Sequence, residues 1–158
     1  MRAYLGVDPG LSGGLALLEP DGTFVGCWDA PTIKSGTGGR RDYDRPACWA
    51  LLRAAVLRHP GLTVVLEQLS PMPKNGCISA FKLGGGLELW TMAAVGLNLA
   101  IERVRPKRWQ AVIGCPAGEK ASLARAREMF PAAPLKLEKH SGRAAALLLA
   151  EYGRRVLG

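Results

Sequence analysis

A chain of 158 residues with a hydrophobic fraction of 48% can bury one full core and is too short for two sizeable ones. Its 21 Lys and Arg against 13 Asp and Glu leave a net charge of +8, which excludes an acidic disordered chain and suits a polyanionic partner. There is no secretory h-region and no membrane-spanning apolar run, so a cytoplasmic protein without membrane contact is expected, in a single domain over residues 1–158.

The first expected element is a strand over residues 2–7, closed by the turn sequence Asp8-Pro9-Gly10. Residues 15–18 and 23–28 read as two more strands, separated by the tight-turn sequence Glu19-Pro20-Asp21-Gly22, and complete an antiparallel meander. Residues 33–43, rich in Gly, Ser, Thr and Arg, read as an exposed loop. Asp44 then suits an N-cap and Pro46 a first helical turn. Apolar residues at 48, 51, 52, 55 and 56 follow at helical spacing up to His59-Pro60-Gly61.

Residues 62–66 are continuously apolar and β-branched, the pattern of a strand buried on both faces, and they deliver Glu67. A loop over 70–76 leads to a helix over about 79–95, broken by Gly84-Gly85-Gly86, which would permit close backbone approach or a kink. Residues 98–104 read as a fifth strand, and Pro106 opens a short helix carrying Trp109. A basic helix over 118–130 and a last helix from about Lys139 to Val156 complete the chain, the latter with Leu147, Leu148 and Tyr152 as core contacts. The order β-β-β-α-β-α-β-α-α predicts an α/β fold, a mixed five-stranded sheet with helices on both faces. Cys27, Cys48, Cys77 and Cys115 are spread without a C-x-x-C pair and read as free thiols that pack as small hydrophobes.

Asp8 and Glu67 each end an apolar strand, where α/β sheets gather their sites. If the two strands are neighbours the acids converge, and two close carboxylates repel unless a cation or a proton lies between them. Mg²⁺ suits such an oxygen-only site. The competing reading is that both acids merely finish strand ends.

Three segments together carry a family resemblance. Gly6-Val-Asp-Pro-Gly-Leu-Ser-Gly13 resembles the first motif of RuvC-type Holliday junction resolvases, and Val65-Leu-Glu-Gln68 resembles the second. Lys139-His-Ser-Gly-Arg-Ala-Ala-Ala-Leu-Leu-Leu-Ala-Glu-Tyr-Gly153 resembles the third. Ser70-Pro-Met-Pro and Glu102-Arg-Val-Arg-Pro-Lys-Arg-Trp109 resemble segments of the phage-encoded RuvC-like resolvases. The resemblance implies an RNase H-like fold and an endonuclease that resolves four-way DNA junctions in a bacterial or phage-infected cell. It implies hydrolysis with two Mg²⁺ ions per site, for which Mn²⁺ can substitute. Asp8 would bridge the ions, Glu67 would hold one, and His140 would serve as ligand or proton-transfer group. The family's carboxylate on the final helix is missing: Ala145 stands there, with Ser141 a turn earlier. The chain as written is therefore expected to bind junctions and to cut them poorly or not at all.

The same resemblance sends Lys74, Asn75, Phe81 and Lys82 into the junction, with Phe81 as an unstacking wedge; core burial is the competing reading for Phe81. Lys107, Arg108, Lys120, Lys139 and Arg143 lie in the basic last third and are candidates for phosphate contacts. A two-fold homodimer would place two sites on a two-fold junction. Leu83, Leu87, Leu89, Trp90 and Met92 offer the most apolar helix for its interface, though core burial explains them equally. Two other classes compete. One is a branched-DNA-binding protein without catalysis, favoured by Ala145. The other is an actin-like or sugar-kinase-like ATP-binding protein, suggested by Asp8-x-Gly10-x-Ser12 but lacking a second phosphate loop.

Overall fold

A computed structural model describes residues 2–36, 38–74 and 76–158. Five strands form one sheet: β1 (Tyr4–Asp8), β2 (Gly14–Leu18), β3 (Phe24–Asp29), β6 (Thr63–Glu67) and β7 (Ala100–Val104). Their spatial order is β3-β2-β1-β6-β7. The meander β1–β2–β3 is antiparallel, whereas β6 and β7 run parallel to β1. The mixed sheet expected from the element order is thus the one found.

Alternation along the strands divides the core in two. Tyr4, Ala16, Leu18, Val65 and Val104 face one side, under α3 (Pro106–Ile113), α4 (Glu119–Met129) and α5 (Ser141–Leu157). Leu5, Val7, Leu15, Leu17, Val64 and Leu66 face the other, under α1 (Arg45–Arg58) and α2 (Cys77–Gly96). β6 is buried on both faces, as its unbroken apolar run requires. Leu147, Leu148 and Tyr152 of α5 are fully buried, and each of the two leucines is worth about 2 kcal/mol of apolar transfer. Small residues let α5 lie directly on β1. A Cβ at Gly6 would stand 1.9 Å from the Ala146 carbonyl oxygen, and Gly13 and Gly142 meet in an isolated backbone bridge.

Three expectations need correction. The segment at 33–43 is a second, two-stranded sheet: β4 (Thr32–Ser35) pairs antiparallel with β5 (Arg40–Tyr43). Gly36, Gly38 and Gly39 adopt positive φ and turn the chain there, so the glycines that suggested a loop close a hairpin. Thr37 lies outside the described residues. The glycine triplet does not break α2, which is continuous from Cys77 to Gly96. Gly86 is buried against the Tyr43 hydroxyl and the Pro9 carbonyl, where a Cβ would come within 2.4 Å of both, so packing rather than propensity explains it. Of the cysteines, Cys77 is exposed while Cys48 and Cys115 are buried. Asp44 does cap α1, its Oδ1 accepting from the Ala47 amide at 3.1 Å. Among the described residues no helix is long and apolar enough to cross a membrane.

Candidate functional site

Register places the two acids. Val7 of β1 pairs with Leu66 of the parallel strand β6, so Asp8 and Glu67 stand side by side one residue further on. Each lies two residues beyond a residue on the α5 face, Gly6 and Val65, so both side chains emerge on that face. Asp8 Oδ1 accepts from the Gly10 amide at 3.2 Å, and Glu67 Oε1 accepts from Trp109 Nε1 at 2.8 Å. Trp109 is itself buried on α3, so the Glu67 carboxylate is held by a fixed donor.

Burial pushes the Asp8 carboxyl up to about 6, with the Gly10 amide opposing and the charge of Glu119 adding to the rise. Burial also pushes Glu67 up to about 7, reinforced by the charge of Asp8 and opposed by Trp109. The strain of two close, desolvated carboxylates is relieved either by a proton on one of them or by a cation between them.

The pair lines an open cleft of about 550 Å³ with Ser12, Glu119, Ser141 and Ala145. Ser141 and Ala145 occupy one face of the first turns of α5, at the i, i+4 spacing that would aim two ligands at Asp8 and Glu67. Neither side chain carries a charge. Among the described residues no three His, Cys, Asp or Glu side chains come together as a ligand set. Two carboxylates with water suit one hard divalent cation. The two-ion site implied by the resemblance lacks a ligand on the helix side.

His140 is not part of the cleft. It ends a 3₁₀ turn (Glu138–His140) and is buried, its Nδ1 accepting from the Leu137 amide at 3.3 Å. Burial lowers its affinity for protons, and the charges it feels are Arg143, Asp29, Lys139 and Arg127, not the cleft acids. The geometry of α5 explains the miss: residues 140 and 143 share a side of the helix different from that of 141 and 145. The expected ligand or proton-transfer residue thus lies outside the cleft lining that Asp8 and Glu67 share. Arg143 on that side donates to both carboxylate oxygens of Asp29, at 2.7 and 2.8 Å, and to the Pro134 carbonyl at 3.3 Å, so an ion pair within the chain competes with any phosphate.

Among the described residues, none of the other expected DNA contacts lines the cleft itself. Lys74, Lys107, Arg108, Lys120 and Lys139 are exposed. Phe81 is 85% exposed on α2, which rules out the core reading. Lys82 is half-buried and donates to the Arg41 carbonyl. Asn75 lies outside the described residues. The expected apolar interface is redistributed: Trp90 is in the core and Leu87 and Leu89 pack against it, whereas Ile78, Met92 and Val95 are exposed on α2.

Sequence reasoning missed Glu119 and the role of Trp109. Glu119 is the further acid at the cleft, in the first turn of α4, and its only signal was an acid following Gly118 at a helix start. Trp109 was read as a helix residue; that its indole N–H reaches Glu67, 42 positions earlier, depends on how α3 crosses β6.

Comparison with solved structures assigns the architecture. RuvC from T. thermophilus in complex with Holliday junction substrate superposes with a TM-score of 0.63 over 98% of this chain and 96% of that one, at 15% identity. The chain has the RuvC fold. A second Thermus thermophilus RuvC structure matches with a TM-score of 0.56 and 15% identity, covering 97% of this chain and 95% of that one. No family model matches the sequence, and no curated protein matches it. At this identity the likeness to RuvC is one of fold, and the expected kinship with phage-encoded resolvases finds no support in it.

Proposed function

We propose that this chain is a four-way-junction-binding protein of the RuvC type whose phosphodiester-cleaving centre is reduced to Asp8 and Glu67. The observation that carries the reading is the convergence of half-buried Asp8 and buried Glu67 in an open cleft, on a fold shared with a RuvC bound to a Holliday junction substrate. Asp8 and Glu67 would hold one Mg²⁺ or Mn²⁺, which when bound offsets negative charge on a DNA phosphate. The Gly10 amide and the Trp109 indole keep the two carboxylates in place. Lys107, Arg108, Lys120 and Lys139 supply phosphate contacts, and exposed Phe81 supplies an apolar wedge for the strained branch point. A two-fold homodimer, with Met92 and Val95 of α2 at its contact, matches the symmetry of the junction. Because Ser141 and Ala145 face the cleft without a charge, binding outlasts cutting in this chain.

A gel shift of a labelled four-way junction against a linear duplex of equal length tests the reading, run beside a cleavage assay with Mg²⁺ or Mn²⁺. Preference for the junction with little or no nicking is expected. Equal affinity for both DNAs, or rapid symmetric cutting, contradicts it.

A further inference from the structure

The β4–β5 hairpin stands apart from the main sheet and is docked on the loop that follows Asp8. Arg41 donates to the Leu11 carbonyl at 2.6 Å, to Ser12 Oγ at 3.3 Å and to Thr32 Oγ1 at 3.4 Å. Ser12 itself lines the cleft of Asp8 and Glu67. The Tyr43 hydroxyl donates to the Pro9 carbonyl at 2.7 Å, and Lys82 of α2 donates to the Arg41 carbonyl. Hairpin, cleft loop and α2 are thereby tied into one unit.

The register of the hairpin sets two like charges against each other. Lys34 pairs with Arg41, and Thr32 with Tyr43, so Lys34 and Arg41 lie on the hairpin face that meets the Asp8 loop. Like charges directly opposite one another in an antiparallel pair are destabilising. No carboxylate offsets them: all three partners of the Arg41 guanidinium are neutral oxygens, and among the described residues neither Lys34 nor Arg41 forms an ion pair. The nearest acid in the hairpin, Asp42, points from the other face and is paired with Arg45.

We propose that Lys34 and Arg41 form a phosphate-binding arm at the rim of the cleft, gripping the DNA backbone beside the phosphate that enters between Asp8 and Glu67. The inference rests on the DNA-binding reading above and adds a surface to it. Phosphate oxygens satisfy both cations at once and remove the cross-strand repulsion. Such contacts carry no base specificity; they hold one strand in line with the cleft. The docking of Arg41 on Leu11 and Ser12 fixes the arm relative to the acids, so it positions the strand as well as attracting it.

Lys34→Glu tests the arm, because it places a carboxylate opposite Arg41 and neutralises it internally. Binding of the full chain to a four-way junction is measured from 50 to 300 mM salt, with Arg53→Glu on the outer surface of α1 as a control of equal charge change. Lys34→Glu is expected to melt at or above the parent temperature and to bind about tenfold or more weakly near 0.1 M salt. Its salt slope should fall by about 1.8, the value for two phosphate contacts. Lys34→Ala should give about half that fall in slope, and Arg53→Glu a clearly smaller one. Parent-like binding by both Lys34 variants, or an equal loss in Arg53→Glu, overturns the arm and leaves the DNA reading standing. Absence of salt-dependent binding by the parent chain overturns both.

Discussion

The cleft has a strand side and a helix side, and they differ in what they bring to it. The strand side presents half-buried Asp8 and buried Glu67 from adjacent parallel strands, hydrogen-bonded and raised to about 6 and about 7. The helix side, the first turns of α5, presents Ser141 and Ala145 from positions that point at the same space. The scaffold is equally firm on both sides: Gly142 is pressed against Gly13 so closely that a Cβ would approach the Ser12 carbonyl oxygen to 2.3 Å. Geometry therefore survives where chemistry is missing. Buried like charges destabilise a fold, and Asp8 and Glu67 offer no packing advantage that offsets the repulsion. A proton or a cation between the two acids removes that cost, whereas Ser141 and Ala145 impose none.

The largest effect should come from equalising the two sides. Ala145→Asp adds a carboxylate opposite the strand pair. A direct ligand is worth at least the ~10–100-fold that supporting groups contribute to metal affinity or activity. Nicking of a labelled junction in Mg²⁺ should rise by at least about that factor, and an unchanged rate would show that position 145 does not face the reacting phosphate. The mirror change, loosening the helix side, is Gly142→Ala. The added Cβ would meet the backbone of Ser12 and Gly13 at 2.3 to 2.7 Å, so chemical denaturation should show a loss of about 2–3 kcal/mol.

Asp8→Asn probes the cost borne on the strand side. A carboxyl whose folded value is raised takes up protons on folding, so its stability contribution is full at low pH and is lost as pH rises from about 4 through about 6. Asp8→Asn should consequently stabilise the metal-free chain by about 3 kcal/mol at pH 8 and give almost no gain at pH 4, read from denaturant midpoints. The smallest effect is expected at Arg143→Ala. Its ion pair with Asp29 is partly exposed, so stability should fall by less than about 1 kcal/mol and the salt slope of junction binding should not change.

What was legible in the sequence was what local chemistry dictates. The apolar run before Glu67 announced a strand buried on both faces, Asp44 and Pro46 announced the start of α1, and strand ends pointed to Asp8 and Glu67. What escaped was set by contacts between distant segments. The glycines at 84–86 suggested a helix break or a close backbone approach, and only the approach is found, at Gly86 against Tyr43 and Pro9. Residues 33–43 looked like a loop because the hairpin draws its anchorage from Leu11, Ser12 and Pro9 and not from its own apolar alternation. His140 shared a motif with Ala145 but not a helix side, and only the packing of α5 on β1 decides which side faces the acids. Arg143 looked free until Asp29, 114 residues earlier, was placed beside it.

The most direct measurement is a calorimetric titration of the DNA-free chain with Mn²⁺ at pH 7.5, alongside Asp8→Asn/Glu67→Gln. One ion per chain, absent from the double variant, is the expected result. Equal binding by both proteins, or none by the parent, would contradict a cation site built from those two strand ends.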